Sequence, residues 1–65
     1  MADVIKLYKR VIDSNGKPTK QDVLDCGFSN EHAERIAHPS VNANKLVKNA
    51  RKALIDRGIH YKEEM

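Results

Sequence analysis

The stretch Asp25–Ser40, "DCGFSNEHAERIAHPS", decides how this chain folds. Gly27 stands between two apolar residues, Cys26 and Phe28, where a helix end calls for a residue with positive φ. Phe28 is expected as a buried anchor. Ser29 then caps a new helix, and Glu31 puts negative charge into its first turn. Ala33, Ile36 and Ala37 recur at helical spacing and are its inward positions. Pro39 forbids further helix and pushes His38 towards an extended conformation. Two short helices joined by a tight Gly turn make an αα-corner. This is the geometry of a helix-turn-helix, whose second helix can enter a major groove. Val23, four residues before the Gly, is bulkier than a close approach of two helices prefers.

Before the corner, Val4, Ile5, Tyr8, Val11 and Ile12 fall on one apolar stripe, with Lys6, Lys9, Arg10 and Asp13 on the other face. "SNGKP" (Ser14 to Pro18) ends this helix as a loop, because its flanks have helical rather than strand periodicity. Thr19 and Asp22 have the spacing of a capping box, and Val23, Leu24 and Cys26 are the apolar side of a second helix. After Pro39, a fourth helix carries Ala43, Leu46, Val47, Ala50, Ala53 and Leu54 inward. Gly58 is its stop, with Ile59 suited to the accompanying apolar contact. The expectation is an all-α fold, a small three- to four-helix bundle containing a helix-turn-helix. It is one domain over residues 1–65, with helices near 3–13, 20–26, 30–37 and 42–57. Residues 59–65 are the tail, of which "HYKEEM" (60–65) is expected to fray, with Tyr61 exposed or capping a neighbour.

A chain of 65 residues has room for a single core, and one this short is expected to be marginally stable or to self-associate. Starting and ending on Met, it reads as a complete small open reading frame. The N-terminus has no signal-peptide pattern and no apolar run spans a membrane, so a cytoplasmic location is expected, the host cytoplasm if the chain is phage-encoded. Cys26 is alone and cannot form an internal disulfide; it reads as a core residue. Cys26, His32 and His38 lack metal-ligand spacing, so no metal and no cofactor are expected. No nucleophile–base arrangement, paired buried carboxylates or phosphate-cradling Gly loop occurs, and so small a chain has little volume for a pocket. The chain therefore reads as non-enzymatic, without a small-molecule substrate.

The stretch "KPTKQDVLDCGFSNEHAERIAHPSVNANKLV" (Lys17 to Val47) resembles the N-terminal domain of phage terminase small subunits. The likeness rests on Gly27-Phe28-Ser29, on Ala33, and on His38-Pro39-Ser40-Val41 before the next helix. It covers about half the chain and implies a helix-turn-helix that binds double-stranded DNA at a packaging site and works as a multimer. The length leaves no room for an oligomerisation domain or for a segment engaging the large subunit. The resemblance therefore implies the DNA-binding module alone, or a small free-standing protein built on it.

Charge is unevenly spread. Twelve Lys and Arg against nine Asp and Glu give a net charge of +3, which leans towards an anionic partner. From Thr19 to His38, Lys20 and Arg35 face Asp22, Asp25, Glu31 and Glu34, a net of −2. From Val41 to Arg57, Lys45, Lys48, Arg51, Lys52 and Arg57 face Asp56 alone, a net of +4. Phosphate attraction supplies most non-specific DNA affinity. The fourth helix, whose Lys45, Lys48, Asn49 and Lys52 form one stripe flanked by Asn44 and Arg51, is thus the better phosphate donor. Lys6, Lys9, Arg10, Lys17 and Lys20 could form a second basic zone. Phosphate-contact candidates are Lys17, Lys20, Lys45, Lys48, Asn49, Arg51 and Lys52. Asn30, His32 and Arg35 on the third helix are the base-contact candidates, since Asn suits adenine and Arg suits guanine. The function expected is a small DNA-binding protein that forms homo-oligomers. The alternative is a phage-type module that docks on or inhibits a host protein.

Overall fold

The computed structural model describes residues 2–62 and contains four helices. They are α1 (Val4–Asp13), α2 (Lys20–Asp25), α3 (Asn30–Ile36) and α4 (Ala43–Asp56). Among the described residues there is no strand, and no helix is long and apolar enough to cross a membrane. The fold is a small all-α bundle.

Each helix starts on a side-chain cap. Asp3, Thr19, Ser29 and Asn42 accept from the backbone N–H of Lys6, Asp22, His32 and Lys45. The capping box of α2 is complete: the Asp22 N–H donates to Thr19 Oγ1 at 3.1 Å and the Thr19 N–H to Asp22 Oδ2 at 3.0 Å. Three helices end alike. After α1, α2 and α4 the chain turns through Asn15, Gly27 and Gly58, all at positive φ. The amides that follow reach back to carbonyls of the last turn: Gly16 to Val11, Phe28 to Val23 and Ile59 to Leu54. These are Schellman closures, and they satisfy carbonyls a helix end would otherwise leave open.

The helix backbones touch in the order α3–α2–α1–α4, and none of these contacts joins α3 directly to α4. The Cα trace is accordingly flat, with extents of 34 × 27 × 15 Å. α2, the Gly27 turn and α3 pack against each other as the corner unit. The Asp3 N–H donates to the Cys26 carbonyl at 2.7 Å and ties the start of α1 to that turn. At the other end, the Gly16 backbone lies so close to α4 that a Cβ there would sit 2.7 and 2.8 Å from the Ala43 carbonyl carbon and Cα.

The core is Leu7, Val11, Ile12, Val23, Cys26, Ala33, Ala50 and Leu54, with no buried polar side chain among the described residues. Val23 is wholly buried, so the corner accommodates the bulkier residue. Three expectations need correction. Leu7 belongs to the core, whereas Ile5 remains 37% exposed, because α1 meets α2 along one edge and α4 along another and so buries a broader arc than one stripe. Phe28 is only half-buried, its ring 5.8 Å from that of exposed His32. Residues 60–62 do not fray, while Ile59 makes the apolar contact expected of it. Ile59 and Tyr61 pack on the core, the Tyr61 hydroxyl donates to Asp13 at 2.9 Å, and Lys62 Nζ lies 2.6 Å from the same carboxylate. The Lys9 ammonium sits 5.3 Å from the Tyr61 ring centroid, and Arg51 donates to the Lys62 carbonyl. Residues 63–65 of the expected tail lie outside the described residues.

Two pairs of outcomes test this construction. Gly58→Ala meets positive φ but open space and should cost about 1 kcal/mol in urea unfolding. Gly16→Ala meets positive φ and the Ala43 backbone, and should cost about 2–4 kcal/mol; equal losses would show that the loop simply yields. The second pair concerns acid. Hydrogen bonds from Lys62 and Tyr61 hold the Asp13 carboxyl below its ordinary 3.8, and the Thr19 backbone N–H does the same for Asp22. A carboxylate depressed in the folded state stabilises fully above its unfolded value, and that stability disappears as pH falls below it. Stability should therefore hold above about pH 4 and decline beneath it. Asp13→Asn and Asp22→Asn should each flatten that decline in acid titrations followed by circular dichroism.

Candidate nucleic-acid interface

The charged side chains divide into those held by partners within the chain and those left free. On α3, Arg35 is paired to Glu31 at 3.1 Å, one helical turn away, and Glu34 lies 3.4 Å from Lys20 of α2. Arg10 of α1 bonds Asp22 at 3.2 Å and so links α1 to α2. Arg57 donates to the Ala53 carbonyl and covers the Tyr8 ring. Of the phosphate-contact candidates, then, Lys20 and Arg51 are engaged within the fold. Lys17, Lys45, Lys48 and Lys52 are exposed and, among the described residues, form no ion pair or side-chain hydrogen bond; Lys6 is free in the same way.

Helix geometry sets the direction of the free α4 lysines. At 100° per residue, Lys45, Lys48, Asn49 and Lys52 fall opposite buried Ala50 and Leu54, so burying one side of α4 aims the stripe into solvent. Asp56, also exposed, terminates it. The second basic zone does not survive as a unit. Arg10 and Lys20 are in ion pairs and Lys9 covers Tyr61, which leaves Lys6 and Lys17.

The base-contact candidates are all exposed on α3, but at 3.6 residues per turn Asn30 and His32 lie roughly 160° apart, flanking buried Ala33, with Arg35 on the outer side between them. Asn30 is its first helical residue. His32 Nδ1 is 3.0 Å from Ser29 Oγ, which orients the ring beside Phe28. Arg35 could reach a base edge only by releasing Glu31.

A concave feature is present that the chain's size argued against. Because α3 and α4 do not touch, the turn between them spans a gap that the loop after α1 closes from below. The result is a cleft of about 350 Å³ lined by Gly16, Lys17, Pro18, Ile36, Ala37, His38, Pro39 and Val41. It is a joint product of three segments, so no local spacing announces it. Val41 also lines a second, shallower groove of about 140 Å³, together with Asn42, Lys45, Leu46 and Asn49. Among the described residues no three His, Cys, Asp or Glu side chains gather to hold a metal ion. Cys26 is buried, and that burial pushes its thiol pKa upward, away from the reactive thiolate.

The chain matches no known protein family, no curated protein and no solved structure.

Lys45, Lys48 and Lys52 have no structural partner, and alanine is the better helix former. The triple Ala variant should therefore melt within a few degrees of the parent. A large drop in Tm would show that the stripe supports the fold and is not a free surface.

Proposed function

We propose that this chain is a non-enzymatic DNA-binding module that holds the phosphates of duplex DNA on the outer face of α4 and carries α3 over the adjoining groove. The observation behind this reading is the concentration of unpaired cations on one helix face. Asp13, Asp22, Glu31 and Glu34 are each paired to a cation within the fold, while among the described residues Lys45, Lys48 and Lys52 are left free around Asn49. Seven helical residues rise roughly 10 Å, the axial span of about three nucleotides of one strand. The stripe is thus the right length for one lysine per phosphate, with Asn49 available to a sugar or base edge. On α3, Asn30 and His32 are the residues free to meet bases, and Arg35 joins them when a guanine outcompetes Glu31. The likeness of Gly27-Phe28-Ser29 and His38-Pro39-Ser40-Val41 to terminase small subunits supports duplex DNA as the polymer. It also supports a packaging-site role exercised as a multimer.

One observation favours a second reading, a module that docks on a protein. The exposed side of α3 has its acids and bases already matched, by Arg35–Glu31 and Lys20–Glu34, and so offers phosphate little attraction.

Salt titration of a labelled duplex followed by anisotropy separates the two. The DNA reading expects log K to fall against log salt with a slope of about −3, reduced by about one for each of Lys45→Ala, Lys48→Ala and Lys52→Ala. Absence of binding at low salt, or a slope indifferent to all three, overturns it in favour of protein docking.

A further inference from the structure

We infer that the cleft beside α3 is a binding site for one unpaired nucleotide, at the end or in a gap of the strand held by α4. This rests on the DNA reading and extends it to the form of DNA preferred. The cleft is about 350 Å³, at the small end of the ~300–1,000 Å³ usual for ligand sites. Pro18, Ile36, Ala37, Pro39 and Val41 give it apolar walls on which a base can lie.

The polar lining suits an anion. No carboxylate lines the cleft, and its charged residue is Lys17, which has no partner among the described residues. His38 lies in the same wall with its ring held by the turn. Ser40 engages His38 Nδ1 through both its backbone N–H at 3.1 Å and its hydroxyl at 2.6 Å, which leaves Nε2 as the ring nitrogen open to a phosphate or sugar oxygen.

Two further features favour a strand over an isolated ligand. The cleft shares Val41 with the groove that carries Lys45 and Asn49, so a strand held on α4 passes next to the cleft. The walls are also set in advance: the Gly16 backbone is packed against Ala43, and the Val41 N–H bonds the His38 carbonyl at 3.0 Å. A preformed site spares the ordering cost of binding.

The test compares one duplex with blunt ends and the same duplex with a three-nucleotide overhang, on the intact chain. The overhang should bind roughly ten-fold tighter, and Lys17→Ala should abolish that preference by lowering overhang affinity more than it lowers blunt-end affinity. Lys17 is exposed and unpaired, so this variant folds; Ala37→Leu, which narrows the cleft, should remove the preference in the same way. Equal affinity for both ends overturns the inference and leaves the DNA reading standing. Failure to bind either duplex overturns both. A nucleoside 5′-monophosphate is titrated in parallel and monitored by amide shifts. Weak binding centred on Lys17, His38 and Val41 supports the site, whereas binding as tight as the overhang overturns its assignment to a strand.

Discussion

The contact between the Gly16 backbone and the Ala43 backbone is the constraint on which the arrangement turns. It fixes the end of α1 to the start of α4, which makes the two helices antiparallel neighbours and sends the end of α4 towards Tyr8, where Arg57 covers the ring. Only a residue without a side chain permits that approach, and only one tolerant of positive φ permits the turn. Asn15 just before it is also left-handed. The Asn-Gly pair, a hairpin signal between strands, here ends a helix and seats a loop against another. The same contact sets one wall of the cleft, so architecture and candidate function share a cause.

Helices of six and seven residues, such as α2 and α3, do not persist alone in water. They persist here because their ends are satisfied and one side of each reaches a shared core. Val23 from α2, Cys26 at its C-cap and Ala33 from α3 join Leu7 and Val11 in that core. The slab is thin, so few residues are deeply buried, and much of the remaining order comes from end closures and from links between elements. Arg10–Asp22 joins α1 to α2, and the Tyr61–Asp13 contact closes residues 59–62 over α1. Each such surface link is individually weak. Their role is to specify which faces meet.

Much of this was legible in the sequence, because it is written in neighbouring residues. Caps and stops at Thr19, Gly27, Ser29, Pro39 and Gly58 act over one to four positions, and the helical period of α4 showed its inward side. What escaped was what depends on distant partners. Leu7 lay outside the apolar stripe read from α1 and Ile5 inside it, because nothing within α1 says where α2 and α4 will cover it. Tyr61 and Asp13 are 48 residues apart, so no local pattern joins them. The candidate residues themselves were legible as types, Lys on one helix stripe and Asn and Arg on another. Which of them are free was not, because pairs such as Lys20–Glu34 form only when the corner closes.

That pairing changes how the net charge of +3 should be understood. Spread evenly, so small an excess would steer nothing, since exposed charges more than a Debye length of about 10 Å apart are screened. Folding sorts it. Asp22, Glu34 and Glu31 are taken up by Arg10, Lys20 and Arg35, leaving Asp25, bonded to the Gln21 amide, as the acid of α2 and α3 without a cation, while α4 keeps three lysines within two helical turns. A modest total thus becomes a local field on one face. The same sorting separates two properties that a helix-turn-helix is expected to combine. The corner supplies shape through Gly27, Ser29 and Pro39, and the helix after the proline supplies attraction. On the DNA reading proposed above, the duplex meets α4 before it meets α3, and that order follows from charge rather than from the motif.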